Sequence, residues 1–354
     1  MSFTLLSIGD SVVWGQGLAE VQKFRVGLQQ DLQAALGASV DSVDRSHSGA
    51  VLAPNGGDAD PTLANWPGEV PRFSPSVWAQ WERIAHEGLV PDIVLLNGGI
   101  NDVDFRTICS PWDRRPEIAG HAACFCGEAM RRFLEEQVFA SGRPRVILTG
   151  YYAAISSASA FGELLDSGPI VKAFLHYIEG LHRELPFLES LGEVLSLSHL
   201  TEHTHLLSAL AANWETFADR ANTCLRETAH AVNEKLGETR VWFVDPAFGP
   251  EHALFTAAPY LFHPSLPPRD SAAEVREREC PLCYPATEHP FELMICLAAS
   301  TGHPNAQGAQ RYRERIREVA LPELVKQLKE GSGVGRPITP SPPARPGQRT
   351  RRKR

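Results

Sequence analysis

Five short apolar segments, separated by helix-like stretches, constrain the fold of this 354-residue chain most strongly. Several of them are apolar without interruption, which is typical of strands buried on both faces of a parallel sheet. The stretches between them carry apolar residues every three or four positions, the spacing of an amphipathic helix. Strands that alternate with helices predict a doubly wound α/β sheet. The predicted strands are 3–8, 39–43, 92–99, 145–150 and 241–246.

These elements belong to one domain of about residues 1–330. Residues 151–240 contain more helical pattern than one crossover needs, so we expect a helical insertion there. Residues 247–298 are rich in Pro, His and Cys and are predicted to be irregular. Pro322 is expected to kink or split the last helix. Outside the insertion, helices are predicted over 26–37, 77–88 and 306–331.

A basic segment, 331–354, closes the chain. The residues after Lys329 include seven basic side chains and one acidic one, a net charge of +6. Because the whole chain has a net charge of −8, the preceding 329 residues carry −14. An acidic body does not fit a nucleic-acid-binding protein. The segment has almost no apolar residues, which predicts disorder. It is interpreted as a solubilising tail, with contact to anionic surfaces or a targeting role as alternatives.

The sequence predicts a protein without stable membrane insertion, because no apolar stretch approaches the length of a membrane span. No signal-peptide pattern follows Met1. As it stands, the chain is expected in the cytoplasm, or outside the cell if it is a processed form. Its seven cysteines cannot all pair within one chain, and they do not indicate a compartment.

Four polar or glycine-containing segments lie where a parallel sheet collects its functional residues, at the carboxyl ends of strands. Ser11 follows the first predicted strand, Gly49 the second and Asn101 the third. His303 lies just before the last helix, which would return it to the same edge of the sheet.

The segment GDSVVWG, from Gly9, resembles the first block of the SGNH, or GDSL-type, esterase/lipase superfamily. Gly49 falls where the second-block glycine is expected, residues 99–102 match the GxND block, and HPNAQG from His303 matches the histidine block. Four blocks in order are far more specific than one. The resemblance implies a flavodoxin-like three-layer α/β/α sandwich with a parallel five-stranded sheet, and a serine hydrolase that cleaves small-molecule or lipid carboxylic esters without a cofactor.

The residue types suit that chemistry. A serine hydroxyl is a poor nucleophile until a base takes its proton, and His303 would be the base for Ser11. The tetrahedral intermediate needs donors aimed at its oxyanion, which the Ser11 and Gly49 amides and the Asn101 side chain would provide. We expect loop 104–128 and the helical insertion to shape an apolar substrate pocket. Alternatives are an acyltransferase or deacetylase on the same site, or a non-catalytic binding protein with this fold.

One position departs from the superfamily pattern. The aspartate normally found three residues before the histidine is replaced by Ser300. The favoured interpretation is a Ser–His dyad in which a backbone carbonyl accepts from the far imidazole nitrogen, since the tautomer needs only an acceptor there. A carboxylate from Asp245, Asp270 or Glu288 is the alternative third member.

A cysteine-rich segment allows three interpretations. Cys280, Cys283, His289 and Cys296 have ligand types and a Cys-x-x-Cys spacing that suit zinc. A disulfide or plain buried thiols are the other interpretations, because cysteine spacing alone does not fix connectivity. A further bridge is open to Cys109, Cys124 and Cys126. A histidine group at His199, His203 and His205 is interpreted as a solvated helix start rather than a metal site.

Overall fold

In the computed structural model, five parallel strands form one sheet in the order β2-β1-β3-β4-β5. This confirms the predicted α/β class. The structure describes residues 2–59, 67–110, 112–160, 200–264 and 269–331, with the backbone alone for 200–207 and Phe291. The strands are β1 (Ser2–Ile8), β2 (Ser39–Asp44), β3 (Ile93–Leu96), β4 (Arg145–Thr149) and β5 (Val241–Val244).

The uninterrupted apolar runs occupy the centre of the sheet. Every residue of β3 is fully buried, and Ile93 is in register with Leu5 of β1 on one side and Arg145 of β4 on the other. Strand β2, which lies at an edge, is more polar and mostly exposed or half-buried. Because the order reverses at β1, the gap between the carboxyl ends of β1 and β3 is the topological switch point where such sheets bind ligands.

Helices cover both faces of the sheet. On one face α2 (Phe24–Leu36) packs against α10 (Ala306–Val319) and α11 (Leu321–Gly331), with the rings of Phe24 and Tyr312 stacked. On the other, α3 (Val77–His86) and α7 (Leu200–Leu236) pack against the helix that begins as α6 (Arg115–Ala122) and continues to residue 141 through two π-helical stretches. The helices are α1 (Ser11–Trp14), α2 (Phe24–Leu36), α3 (Val77–His86), α4 (Ile100–Val103), α5 (Phe105–Ile108), α6 (Arg115–Ala122), α7 (Leu200–Leu236), α8 (Ala273–Cys283), α9 (Pro290–Leu297), α10 (Ala306–Val319) and α11 (Leu321–Gly331).

Two segments expected to be irregular are helical. The prediction of a loop over 104–128 is wrong, because α5, α6 and most of the first π-helical stretch lie in this range. Ile118, Ala122 and Cys126 recur every four residues and are completely buried. The prediction for 247–298 is wrong in part: α8 and α9 lie inside it, and α9 begins at a proline, which favours a first helical turn. The split of the last helix is confirmed, since α10 and α11 meet at Ala320, just before Pro322.

The described residues of the insertion are 151–160, which are not helical, and 200–240, which contain the long helix α7. Its predicted apolar stripe is buried against the core, including Leu210, Trp214 and Phe217. The first predicted helix of the insertion, the side chains of the histidine group and nearly all of the basic tail lie outside the described residues. No helix in the described ranges is both long and apolar enough to cross a membrane.

The zinc interpretation is wrong for the cysteine-rich segment. Cys280 of α8 and Cys296 of α9 form a disulfide, which removes two of the four proposed ligands. Cys283 is a free thiol beside that bond, and His289 is exposed. No cluster of metal-binding side chains occurs in the described ranges. Cys109, Cys124 and Cys126 are free thiols, so the further bridge is not formed.

We expect the disulfide to stabilise the folded protein by closing a loop of 16 residues in the unfolded chain. Loop-closure entropy gives about 3 kcal/mol for a loop of this length. Replacing both Cys280 and Cys296 by serine should lower Tm by roughly 4 °C in calorimetry, because the unfolding entropy of a domain of this size is on the order of 0.7 kcal/mol/K. Cys124→Ser, at an exposed free thiol, is the matched control. An unchanged Tm in the double variant would contradict the prediction.

Candidate active site

Ser11 is presented by the turn between β1 and α1. It is the first residue of α1, and the Asp10 side chain caps this helix by accepting from the Val12 N–H at 2.9 Å. Ser11 is nearly buried, with 6% of its surface exposed. A strand that ends in a capped helical turn therefore fixes the direction of the Ser11 side chain.

The Asp10 carboxylate also stabilises this turn through further hydrogen bonds. This completely buried group accepts from Asn97 Nδ2 at 2.7 Å and from the Tyr151 hydroxyl at 2.8 Å. Burial raises the pKa of Asp10, and the hydrogen bonds from Val12, Tyr151 and Asn97 oppose that shift. Asp10 is thus enclosed by partners from α1 and from the segments that follow β3 and β4, as expected of a structural residue.

His303 reaches Ser11 from the far end of the chain. The distance between His303 Nε2 and Ser11 Oγ is 2.7 Å, although 292 positions separate the two residues. The loop that carries the imidazole is held at both ends. The His303 carbonyl accepts from the Phe262 N–H at 2.8 Å, and Asn305 caps α10 by accepting from the Gln307 and Gly308 N–H groups at 2.9 and 3.1 Å.

The imidazole is neutral over most of the pH range. Burial, and secondarily the nearby Arg276 guanidinium, lower the pKa of His303 to about 4. The carbonyls of Ala299, Thr301 and Ser300 oppose the shift. These carbonyls lie near the imidazole, but none forms a hydrogen bond of regular geometry with His303 Nδ1, which is buried. The acceptor that would orient the imidazole therefore stays a prediction.

Two of the three candidate carboxylates have other partners, and the third is exposed. Asp270 accepts from the Ser300 hydroxyl at 2.7 Å and pairs with Arg276. Asp245 accepts from the Ala247 N–H at 2.8 Å. Glu288 is exposed.

Gly49 lies in a turn that only glycine fits. Its φ of 80° is in the left-handed region, and a Cβ there would come within 2.6 Å of the Arg72 backbone nitrogen. Within the described ranges, the N–H groups of Gly49 and Ser11 make no hydrogen bond. Both donors therefore remain available to a bound group.

Asn101 joins the turn that carries Gly49. Its Nδ2 donates to the Ala50 carbonyl at 2.9 Å, which brings the loops after β2 and β3 together. An amide nitrogen carries two protons, so one remains for another acceptor. The structure thus brings Ser11 and His303 together and places Asn101 beside Gly49, at the carboxyl edge of the sheet.

Asp102 was not singled out from the sequence, although it is the last residue of the GxND block. Its carboxylate accepts from the Leu52 N–H at 2.7 Å and the Ala53 N–H at 3.3 Å, which fixes the segment that follows Gly49. Burial raises the pKa of Asp102 to about 6, against the effect of these hydrogen bonds. The aspartate that ends the GxND block is the sequence signal that points to Asp102 as a residue of the site.

Comparison with known proteins gives structural neighbours only. No family model matches the sequence, and no curated protein matches it. The chain is similar to the extracellular lipase from Streptomyces rimosus, with 14% identity, a TM-score of 0.44, and coverage of 90% of this chain and 100% of that one. It is also similar to the lipase Lip_vut3 from a goat rumen metagenome, with 12% identity, a TM-score of 0.42 and coverage of 91% and 99%. A third neighbour is phospholipase A1 from Streptomyces albidoflavus NA297, with 14% identity, a TM-score of 0.41 and coverage of 90% and 100%.

The fold itself agrees with the motifs. The sheet order is that of a flavodoxin-like sandwich, and the first three blocks follow β1, β2 and β3 while the fourth precedes α10. The resemblance to the SGNH-type esterases and lipases therefore holds at the level of the fold.

Proposed function

We propose that this protein hydrolyses carboxylic esters through an acyl-enzyme on Ser11, with His303 as the general base. The observation that carries the proposal is the 2.7 Å separation of Ser11 Oγ and His303 Nε2. A general base must lie within hydrogen-bonding reach of the proton that it takes. The neutral state of His303 at pH 7, with its pKa at about 4, supports the same role.

The proposed reaction has two halves. His303 Nε2 takes the hydroxyl proton while Ser11 Oγ attacks the ester carbonyl carbon, and the carbonyl oxygen becomes an oxyanion. Collapse breaks the bond to the alcohol oxygen, which leaves with the proton from His303. Water, deprotonated in turn by His303, then attacks the acyl carbon. The bond to Ser11 Oγ breaks, His303 returns the proton to this oxygen, and the acid is released. The unpaired N–H groups of Ser11 and Gly49 and the second proton of Asn101 Nδ2 are the proposed oxyanion donors.

We further propose an apolar acyl group in the substrate. The segment that directly follows Asn101 and Asp102 exposes two aromatic side chains, Phe105 and Trp112. Phe105 also makes an edge contact with Trp214 of α7, so this segment and the insertion meet in one aromatic cluster. Exposed large apolar groups are suited to binding an apolar ligand, and these two follow the Asn101 block along the chain.

Labelling by a fluorophosphonate tests the nucleophile. We expect the probe to label the wild type, because it reacts with an activated serine, and not Ser11→Ala. The same variant should lose at least about 10³-fold in kcat toward p-nitrophenyl esters. Ser7→Ala, a buried serine four positions earlier in β1, is the matched control and should keep both signals. Absence of labelling and of hydrolysis at every chain length would favour the non-catalytic alternative.

Replacing Asn101 by alanine tests the oxyanion donors. Loss of one such donor costs about 10²–10³-fold in kcat, and KM should change little because the charge develops after binding. Asn233→Ala is the matched control: this side chain also bonds to backbone, at 2.8 Å to the Val241 carbonyl, but at the amino end of β5. A wild-type kcat in Asn101→Ala would contradict the assignment of that side chain.

The pH dependence of kcat/KM tests the state of His303. Because His303 must be deprotonated to act, activity should rise with pH through about 4 and stay level through neutrality. A second limb near pH 6 would belong to Asp102 and should disappear in Asp102→Asn. A limb near 6.5 that persists in this variant would contradict the buried imidazole.

The pH profile needs a folding control. The unfolded chain protonates its histidine near pH 6.5, whereas folded His303 does so only near 4. The stability that His303 contributes is therefore complete above pH 6.5 and is lost as the pH falls toward 4. Circular dichroism at each pH separates loss of structure from loss of the base.

A further inference from the structure

A second constellation, separate from the catalytic pair, surrounds Arg276 of α8. Its guanidinium is completely buried, with no exposed surface. Buried arginines are rare unless they are paired, because the charge loses its hydration. Here Nη1 lies 2.6 Å from Glu69 Oε1, Nη2 pairs with Asp270 Oδ2, and Nε donates to the Leu297 carbonyl at 3.2 Å.

The Glu69 carboxylate connects Arg276 with the segment that follows Ser11. It accepts from the Gly17 N–H, from Gln16 Nε2 and from Trp14 Nε1, each at 2.8 Å. These three residues end α1 or follow it directly. One buried carboxylate therefore fixes the chain within six positions of the proposed nucleophile.

The Asp270 carboxylate connects Arg276 with the segment that precedes His303. It accepts from the Ser300 hydroxyl at 2.7 Å, and Arg276 Nη2 lies 3.4 Å from the same hydroxyl. The Ser300 carbonyl in turn accepts from the His303 N–H at 2.9 Å. Ser300, at the position where the superfamily carries an aspartate, thus links His303 to the ion cluster of Arg276 and Asp270.

We propose that Arg276 is a positioning residue that holds the Ser11 segment and the His303 segment in register, through Glu69 on one side and Asp270 with Ser300 on the other. The inference rests on the proposed function. A planar guanidinium suits the task because it presents several donors at fixed angles and bonds two carboxylates at once. Lysine offers one flexible ammonium and would not hold both in this geometry.

Three variants test the proposal by kinetics. Arg276→Gln and Arg276→Lys should lower kcat toward p-nitrophenyl acetate on the order of 10–100-fold, because a small displacement of reacting groups has effects of this size. Ser300→Ala, which keeps all three charges, should lower kcat at least about 5-fold by the same reasoning. KM should stay within about 2-fold, and the fluorophosphonate rate should fall with kcat, because the same pair carries out acylation.

Arg313→Gln is the matched control. Arg313 of α10 makes a two-pronged ion pair with Asp31 of α2, at 2.7 and 2.8 Å, in the interface between these helices. Its loss should lower Tm and leave kcat unchanged. If Arg276→Gln does not fold, Ser300→Ala decides the question. Ser300→Ala that folds with wild-type kcat and labelling rate would overturn the proposal, as would variants of Arg276 that lose only Tm.

A titration of His303 by NMR provides a readout independent of activity. The imidazole signal is assigned by its absence in His303→Asn. Removal of the Arg276 cation should raise the pKa of His303 above its value of about 4, since this cation disfavours the imidazolium, and Arg313→Gln should not change it. An unchanged pKa in Arg276→Gln would overturn the proposal. If the wild type has no esterase activity, the proposed function fails while the titration still tests Arg276.

Discussion

The contact between Ser11 Oγ and His303 Nε2 is the constraint on which the rest of the structure depends. Ser11 is the third residue after a central strand, and His303 follows it by almost three hundred residues. Such a contact is costly in chain entropy unless both segments are anchored independently. The parallel sheet anchors the first segment, because β1 is paired on both sides, and the cap of α10 anchors the second.

The segment between β5 and α10 is the second of the two supports. Its described residues contribute no strand to the sheet, although Leu254, Phe255 and Leu261 of this segment belong to the buried core. The disulfide between Cys280 and Cys296 crosslinks this segment, and Arg276 ties it to Glu69, which lies outside it. A cluster of one cation and two carboxylates is not a strong source of stability when it is buried. Its value lies in geometry, since few arrangements satisfy all its charges.

Features of the fold that depend on local patterns of residues could be predicted from the sequence. Continuous apolar runs such as 92–99 identified the central strands, and short blocks around Ser11 and His303 identified the edge where the site lies. What it missed depends on distant partners. Nothing near Arg276 indicates Glu69, which is 207 positions away, and nothing near Cys280 distinguishes Cys296 from Cys283 as its partner. The helical repeat at Ile118, Ala122 and Cys126, by contrast, is a local pattern that indicates the helix at this place.

Gly17 shows how a residue without chemistry can limit what the chain tolerates. Its φ of 82° is left-handed, and a Cβ at this position would lie 2.6 Å from the Cβ of Ser300. The backbone of the nucleophile segment is thus in direct contact with the segment that delivers the base. Any side chain at residue 17, even a methyl group, would act as a wedge between them. In a library of random variants, this inert position should therefore be as intolerant as the reacting groups themselves.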